Sequence, residues 1–192
     1  MFDDMKSLLV LSPQRSGSHF VTYRLQERYY KDIPVYTAHE VDEVIESTRF
    51  FVGHSHSIYQ KDILDKFNVV YSVRRSIADS VLSRIIADQN TEQPFEAMTV
   101  RVLEHLALQE RWYTHYHMFL NRNSNVVIYE VLRDVLPGTV IDSADKASLI
   151  INYDQCVDLI KKHTSEYFAN AHNAFCDYAA QLNGQYMYRL LA

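Results

Sequence analysis

Four short apolar runs recur before residue 130: Lys6–Leu11 (KSLLVL), Phe50–Gly53 (FFVG), Asn68–Val73 (NVVYSV) and Asn125–Tyr129 (NVVIY). Each has strand length, and each is separated from the next by helix-like sequence. The intervening segments are His19–Tyr30, which Pro34 closes off, about Ala38–Ser47, a helical turn at Lys61–Lys66, about Ile77–Ala87, and Phe95–Leu120. Strands alternating with helices favour a parallel sheet covered on both faces. The expectation is therefore an α/β fold: a single three-layer domain spanning 1–192, with a central parallel sheet of four to five strands flanked by helices. In such sheets ligands bind beyond the carboxyl ends of the strands. The loops after Leu11, Gly53 and Val73 should converge on one site.

Local chemistry marks the helix starts. Thr37-Ala-His-Glu40 is a capping box, and Ser76-Ile-Ala-Asp79 is a second start of the same kind with Asp in place of Glu. At about 100° per residue, Ile77, Val81, Leu82, Ile85 and Ile86 fall on one side of the helix that follows. Ser76, Asp79, Ser80, Ser83 and Arg84 fall on the other. Pro137-Gly138 reads as a turn, and Ala147–Leu182 as mostly helical, in one piece or two, within a helical C-terminal part of about 142–192. Four glycines and four prolines are too few for long flexible linkers or an all-β fold of tight turns.

Charge narrows the partners. Nineteen Lys and Arg against 24 Asp and Glu give a net charge of −5. That balance speaks against a nucleic-acid partner and leaves room only for a local basic pocket. Cys156 and Cys176 have neither metal-ligand spacing nor a disulfide framework, which fits a reducing compartment. Met1–Leu11 carries Asp3 and Asp4 and does not read as a secretory signal. No apolar run reaches eighteen residues, so no membrane span is expected and the expected location is cytoplasmic.

The loop Ser12-Pro-Gln-Arg-Ser-Gly-Ser18 lies between the first strand and its helix. Small residues there let backbone N–H groups turn inward, and the helix N-terminus adds partial positive charge. The hydroxyls of Ser16 and Ser18 can donate to phosphate oxygens, and Arg15 supplies a fixed charge. The ATP-type pattern G-x-x-x-x-G-K-[ST] is absent: Gly17 stands alone, with no lysine after it, which disfavours an ordinary Mg-ATP kinase. Taken by itself, the segment reads equally well as a serine-rich turn capping a helix.

Arg15-Ser-Gly-Ser18 resembles the 5′-phosphosulfate loop of sulfotransferases that use 3′-phosphoadenosine-5′-phosphosulfate (PAPS). His19 stands where that family often has a further hydroxyl residue. Val69–Ser83 resembles the family's 3′-phosphate segment: a strand, an arginine at its end, and a serine eight residues further on. Arg75 and Ser83 fit that spacing, Asp79 matches the acid between them, and Arg74 fits less well as an assisting cation. Asn125–Glu130 is similar to a later strand ending in Tyr-Glu, where Tyr129 and Glu130 read as structural. The resemblance covers about residues 6–132, which would form the nucleotide-binding core. The late basic-glycine segment of many cytosolic members is not recognisable.

The resemblance implies a P-loop NTPase-like fold and an enzyme that moves a sulfuryl group from PAPS to an acceptor hydroxyl or amine by in-line transfer, with no metal. It places Arg15, Ser16, Gly17, Ser18, His19, Arg75 and Ser83 around the nucleotide, with Arg15 also stabilising the leaving group. A histidine at the end of the second strand would be the general base. Gly53-His-Ser-His56 offers His54, which the strand alignment favours, and His56 as its rival. A small-molecule or carbohydrate acceptor would complete the reaction. Two other readings stay open: a P-loop-type nucleotide kinase or NTPase, and a non-catalytic nucleotide-binding module of the same fold. His54/His56 and His115/His117 have a metal-like spacing, but no acidic cluster completes a set. Trp112, Tyr113, Tyr116 and Phe119 on the long helix can serve as core, as an acceptor cleft, or as the face of a homodimer.

Overall fold

The computed structural model describes residues 2–135 and 143–191. Strand β1 (Leu8–Leu11) is buried along its whole length, as a central parallel strand must be when helices cover both faces. Helix α1 (Ser18–Tyr29) follows, then a two-residue strand β2 (Val35–Tyr36), helix α2 (Ala38–Val44) and strand β3 (Val52–Ser55). A single turn α3 (Lys61–Leu64) leads into β4 (Asn68–Val73), α4 (Ile77–Ala87), α5 (Phe95–His117) and β5 (Asn125–Ile128). The remainder is helical: α6 (Tyr129–Val135), α7 (Ser143–Leu149), α8 (Tyr153–His163), α9 (Glu166–Ala180) and α10 (Leu182–Leu191).

The five strands form one sheet in the order β2-β3-β1-β4-β5, every pairing parallel. The α/β architecture expected from the alternating runs is present. Alternate side chains point to opposite faces. Leu8, Val10, Val52, Val70 and Val127 meet Val21 and Leu25 of α1 and Met187 and Leu191 of α10. Leu9, Leu11, Val73, Val126 and Ile128 meet the other layer, built from α4, α5, α8 and α9. There Trp112, Tyr113 and Tyr116 of α5 are buried in an aromatic cluster with Tyr71 and Phe175, so the aromatic stripe of α5 is core.

Two differences from the sequence reading matter. The second apolar run begins its strand at Val52, two residues later than Phe50, and extends to Ser55. The backbone pairing Leu8↔Val52 through Leu11↔Ser55 sets that frame, not the apolarity of Phe50 and Phe51. Strand β2 had no periodic signal because it is only two residues long; it exists by pairing with Val52 and Gly53. The C-terminal part is more divided than one or two pieces. The turn expected at Pro137-Gly138 lies outside the described residues. No described helix is long and apolar enough to cross a membrane.

Both capping predictions have their geometry. The Thr37 backbone N–H donates to Glu40 Oε2 at 2.7 Å in a reciprocal capping box, and Asp79 N–H donates to Ser76 Oγ at 3.1 Å. On α4, Val81, Leu82 and Ile85 are fully buried, as the apolar stripe requires. Ser80 and Ser83, on the polar side, are also buried. Ser80 faces the loop after β1, where its hydroxyl donates to the Gln14 carbonyl.

Candidate functional site

The loop after β1 makes a sharp turn. Arg15 has φ 64° and Gly17 has φ 79°, both in the left-handed region. For Gly17 this is natural, and a Cβ there would also overlap the Tyr129 ring. For Arg15 the conformation costs about 1–2 kcal/mol and must be held by its surroundings. Three successive carbonyls do that work. Ser80 Oγ donates to Gln14 O at 3.2 Å, Arg74 Nε to Arg15 O at 2.7 Å, and Ser72 Oγ to Ser16 O at 2.5 Å. Side chains from β4 and α4 thus occupy the acceptor side of the loop.

The donor side is left open. Helix α1 begins directly after Gly17, and no side chain caps it. The first N–H groups of a helix have no internal acceptor, and they carry the positive end of its dipole. A cavity of about 590 Å³ opens here, lined by Arg15, Gly17, Ser18, His19, Arg74 and Ser83 among others, with His56 and Arg84 also in its wall. Burial and the neighbouring Arg74 and Arg84 hold the Arg15 guanidinium below its usual value. The group remains a cation. Arg74 is paired with Glu130 and Arg84 with Asp88, so Arg15 and the uncapped helix end supply the positive charge that favours an anion here.

The sequence-predicted residues divide into two groups. Arg15, Gly17, Ser18, His19, His56 and Ser83 share the cavity. Ser16, His54 and Arg75 are not among its lining residues. The Ser16 hydroxyl is buried 3.4 Å from Ser80 Oγ, so it belongs to the packing between loop and α4. Arg75 is exposed, and its backbone N–H donates to Glu130 Oε2 at 3.0 Å. Arg74 has turned inward instead. It bonds Arg15 O, pairs with Glu130 Oε1 at 3.3 Å, and lies over the Tyr129 ring. His172 Nε2 donates to Arg74 O at 2.9 Å. Glu130 ties Arg74 and the Arg75 backbone into one frame, while Tyr129 lies under Arg74 and also lines the cavity.

The two histidines of β3 separate cleanly. His54 is inside the strand, 2 % exposed, with its ring 4.1 Å from that of His19. Burial, then His19 and His56, lower its pKa to about 4. Its Nδ1 has no hydrogen-bond partner among the described residues. His56 lies just beyond the strand end. Its Nδ1–H donates to Ser12 O at 2.9 Å, which fixes the tautomer and leaves the Nε2 lone pair available. Burial lowers the His56 pKa, against an opposing effect of the Ser12 carbonyl, and so favours the neutral ring.

A second, smaller chamber of about 290 Å³ adjoins the first. Gln14, His56 and Arg84 line both. Sequence reasoning had not singled out Gln14 or Arg84 as site residues. Arg84 left a usable signal: it follows Ser83 on a polar helix side already assigned to the nucleotide. Gln14 left none, because only the turn at Arg15 brings it to the seam. Among the described residues there is no group of three or more His, Cys, Asp or Glu side chains that can hold a metal ion. No protein-family model matches the chain, and neither a curated protein nor a solved structure matches it significantly.

Proposed function

We propose that this protein is a sulfotransferase that takes PAPS as donor and sulfurylates an acceptor hydroxyl or amine. The observation that carries the reading is the uncapped N-terminus of α1, opening with Arg15 into a cavity that also contains His56 and Ser83. The loop N–H groups and Arg15 would hold the phosphosulfate end of the donor. Ser83, with Arg84 beside it on α4, would face the 3′-phosphate. This shifts the second cation from Arg75 to Arg84, which lines the cavity while paired with Asp88, whereas Arg75 is exposed outside its lining.

His56 Nε2 takes the acceptor proton, since His56 meets both chambers and its other nitrogen is already committed to Ser12 O. The acceptor oxygen or nitrogen forms a bond to sulfur as the sulfur–oxygen bond to the 5′-phosphate breaks. Arg15 and the helix end stabilise the negative charge that collects on the departing phosphate oxygen. His54 stands behind His19 as a positioning residue.

Thermal denaturation with 3′,5′-diphosphoadenosine against ATP–Mg tests the donor assignment. A ligand at a hundred times its Kd adds about 2.7 kcal/mol of stability. The diphosphate should raise the midpoint, and ATP–Mg should not match it. Stabilisation by ATP–Mg alone would favour the kinase reading, and no response to either would remove the proposal. Diphosphate binding without transfer to any acceptor would identify a non-catalytic module.

A further inference from the structure

The residues at and just after the end of β3 are held from two sides. Side chains keep alternating past the strand end. His54 and His56 lie on the side of α1, their rings 5.7 Å apart and the His54 ring against His19. Ser55 and Ser57 point the other way, to Asp42 of α2. Ser57 Oγ donates to Asp42 Oδ2 at 2.7 Å and Ser55 Oγ to Oδ1 at 3.2 Å, and the Tyr59 hydroxyl donates to Oδ1 as well. One carboxylate thus gathers three hydroxyls, close to all that its lone pairs accept. The Ser57 N–H closes the turn on Ser55 Oγ at 3.0 Å.

Helix α5 supplies the second hold. The Tyr116 ring is core, but its hydroxyl accepts from the Tyr59 N–H at 3.0 Å and donates to the Ser57 carbonyl at 2.8 Å. One oxygen therefore pins the residues on both sides of Ile58. His115 Nε2 donates to the Tyr59 carbonyl at 2.9 Å. Asp42 and Tyr116 are not among the lining residues of either cavity, whereas His56 lines both and Ser57 and Ile58 line the smaller.

We infer that Asp42 and Tyr116 are positioning residues for His56: they hold residues 55–59 on the path that keeps its ring at the seam of the two cavities, with Nδ1–H on Ser12 O. An effect on turnover rests on the sulfuryl-transfer reading. The placement of the ring does not. Burial disfavours the charged ring, and so do His19 of α1 and Arg84 of α4, while the Ser12 carbonyl and Asp42 favour it. His54 beside it is neutral above about 4, and His105 and Arg111 of α5 share the smaller chamber with it. Asp42 thus acts on His56 by charge as well as through the loop.

The experiment labels the histidines of the full chain with nitrogen-15 and follows their ring signals, without nucleotide, between about pH 4 and about pH 8. His56→Gln assigns the His56 signal. In the unmodified protein neutral His56 should be the Nδ1–H form. Asp42 is exposed, so Asp42→Asn should fold normally; it removes the charge and one acceptor oxygen, and His56 should titrate at a lower pH. Tyr116→Phe deletes only the hydroxyl. It should speed exchange of the Tyr59 amide proton and let neutral His56 mix its two tautomers. A loss of stability alone would move neither histidine signal. In turnover each variant should lower kcat by about tenfold, less than the hundredfold of an ångström's misplacement. KM for PAPS should stay within about twofold, since neither residue lines the donor cavity. An unchanged His56 titration in Asp42→Asn, or an unchanged tautomer in Tyr116→Phe, would overturn the inference. If both signals change while the unmodified protein transfers no sulfuryl group, the donor assignment falls and the positioning stands.

Discussion

His54 and His56 are two residues apart, yet they have different solvents. His54 is enclosed by the sheet and by His19, and protonating it would put a cation into a dry pocket with an orphan nitrogen. Its folded pKa, about 4, lies below the ordinary 6.5. Between those values the unfolded chain takes up a proton that the folded one refuses, so stability should fall as pH drops from 6.5 towards 4. His54→Phe should flatten that part of the curve, measured as urea midpoints across the range. His56 carries the catalytic prediction. His56→Ala should lower kcat by about 10²- to 10⁴-fold, the usual worth of a positioned general base. Because its pKa is also lowered, the acid limb of kcat/KM should lie below pH 6.5, with the rate lost as the ring protonates. The Gly-His-Ser-His string offered both residues as bases; it could not tell them apart because the strand frame is set by pairing with β1.

At the scale of elements, the end of α1 and the polar side of α4 act as one unit. Gly17→Ala would place a methyl group in the Tyr129 ring and force a left-handed alanine, so it should destabilise the fold and abolish diphosphate binding together. Calorimetry and nucleotide titration check the two losses. On α4, Arg84→Ala should weaken 3′,5′-diphosphoadenosine binding several-fold. Arg75→Ala should leave it within about twofold, the modest effect expected of an exposed charge outside the cavity. The opposite ranking would return the 3′-phosphate to Arg75. The boundaries of α4 were fully legible, since a serine cap and a 3.6-residue stripe are local properties of the chain. Which of two adjacent arginines turns inward was not. Arg74 is drawn in by the carbonyl of Arg15 and the carboxylate of Glu130, both distant in sequence.

For the molecule as a whole, an overall charge of −5 coexists with a cavity walled by Arg15, Arg74 and Arg84. Glu130 and Asp88 offset two of those charges, so Arg15 and the positive end of α1 carry the field that an anion would meet. Diphosphate affinity should therefore decline steadily with ionic strength, as calorimetric titrations at increasing salt would show. The layer architecture could be read from the order of the apolar runs, because alternation of strand and helix leaves few topologies. The smaller chamber could not. It is assembled from the β1 loop, the end of β3 and the middle of α5, which meet only after the sheet has formed. Gln14, His56 and Arg84 form a party wall between the two cavities. Any influence that an occupant of one would have on the affinity of the other would be the same factor in either order of arrival.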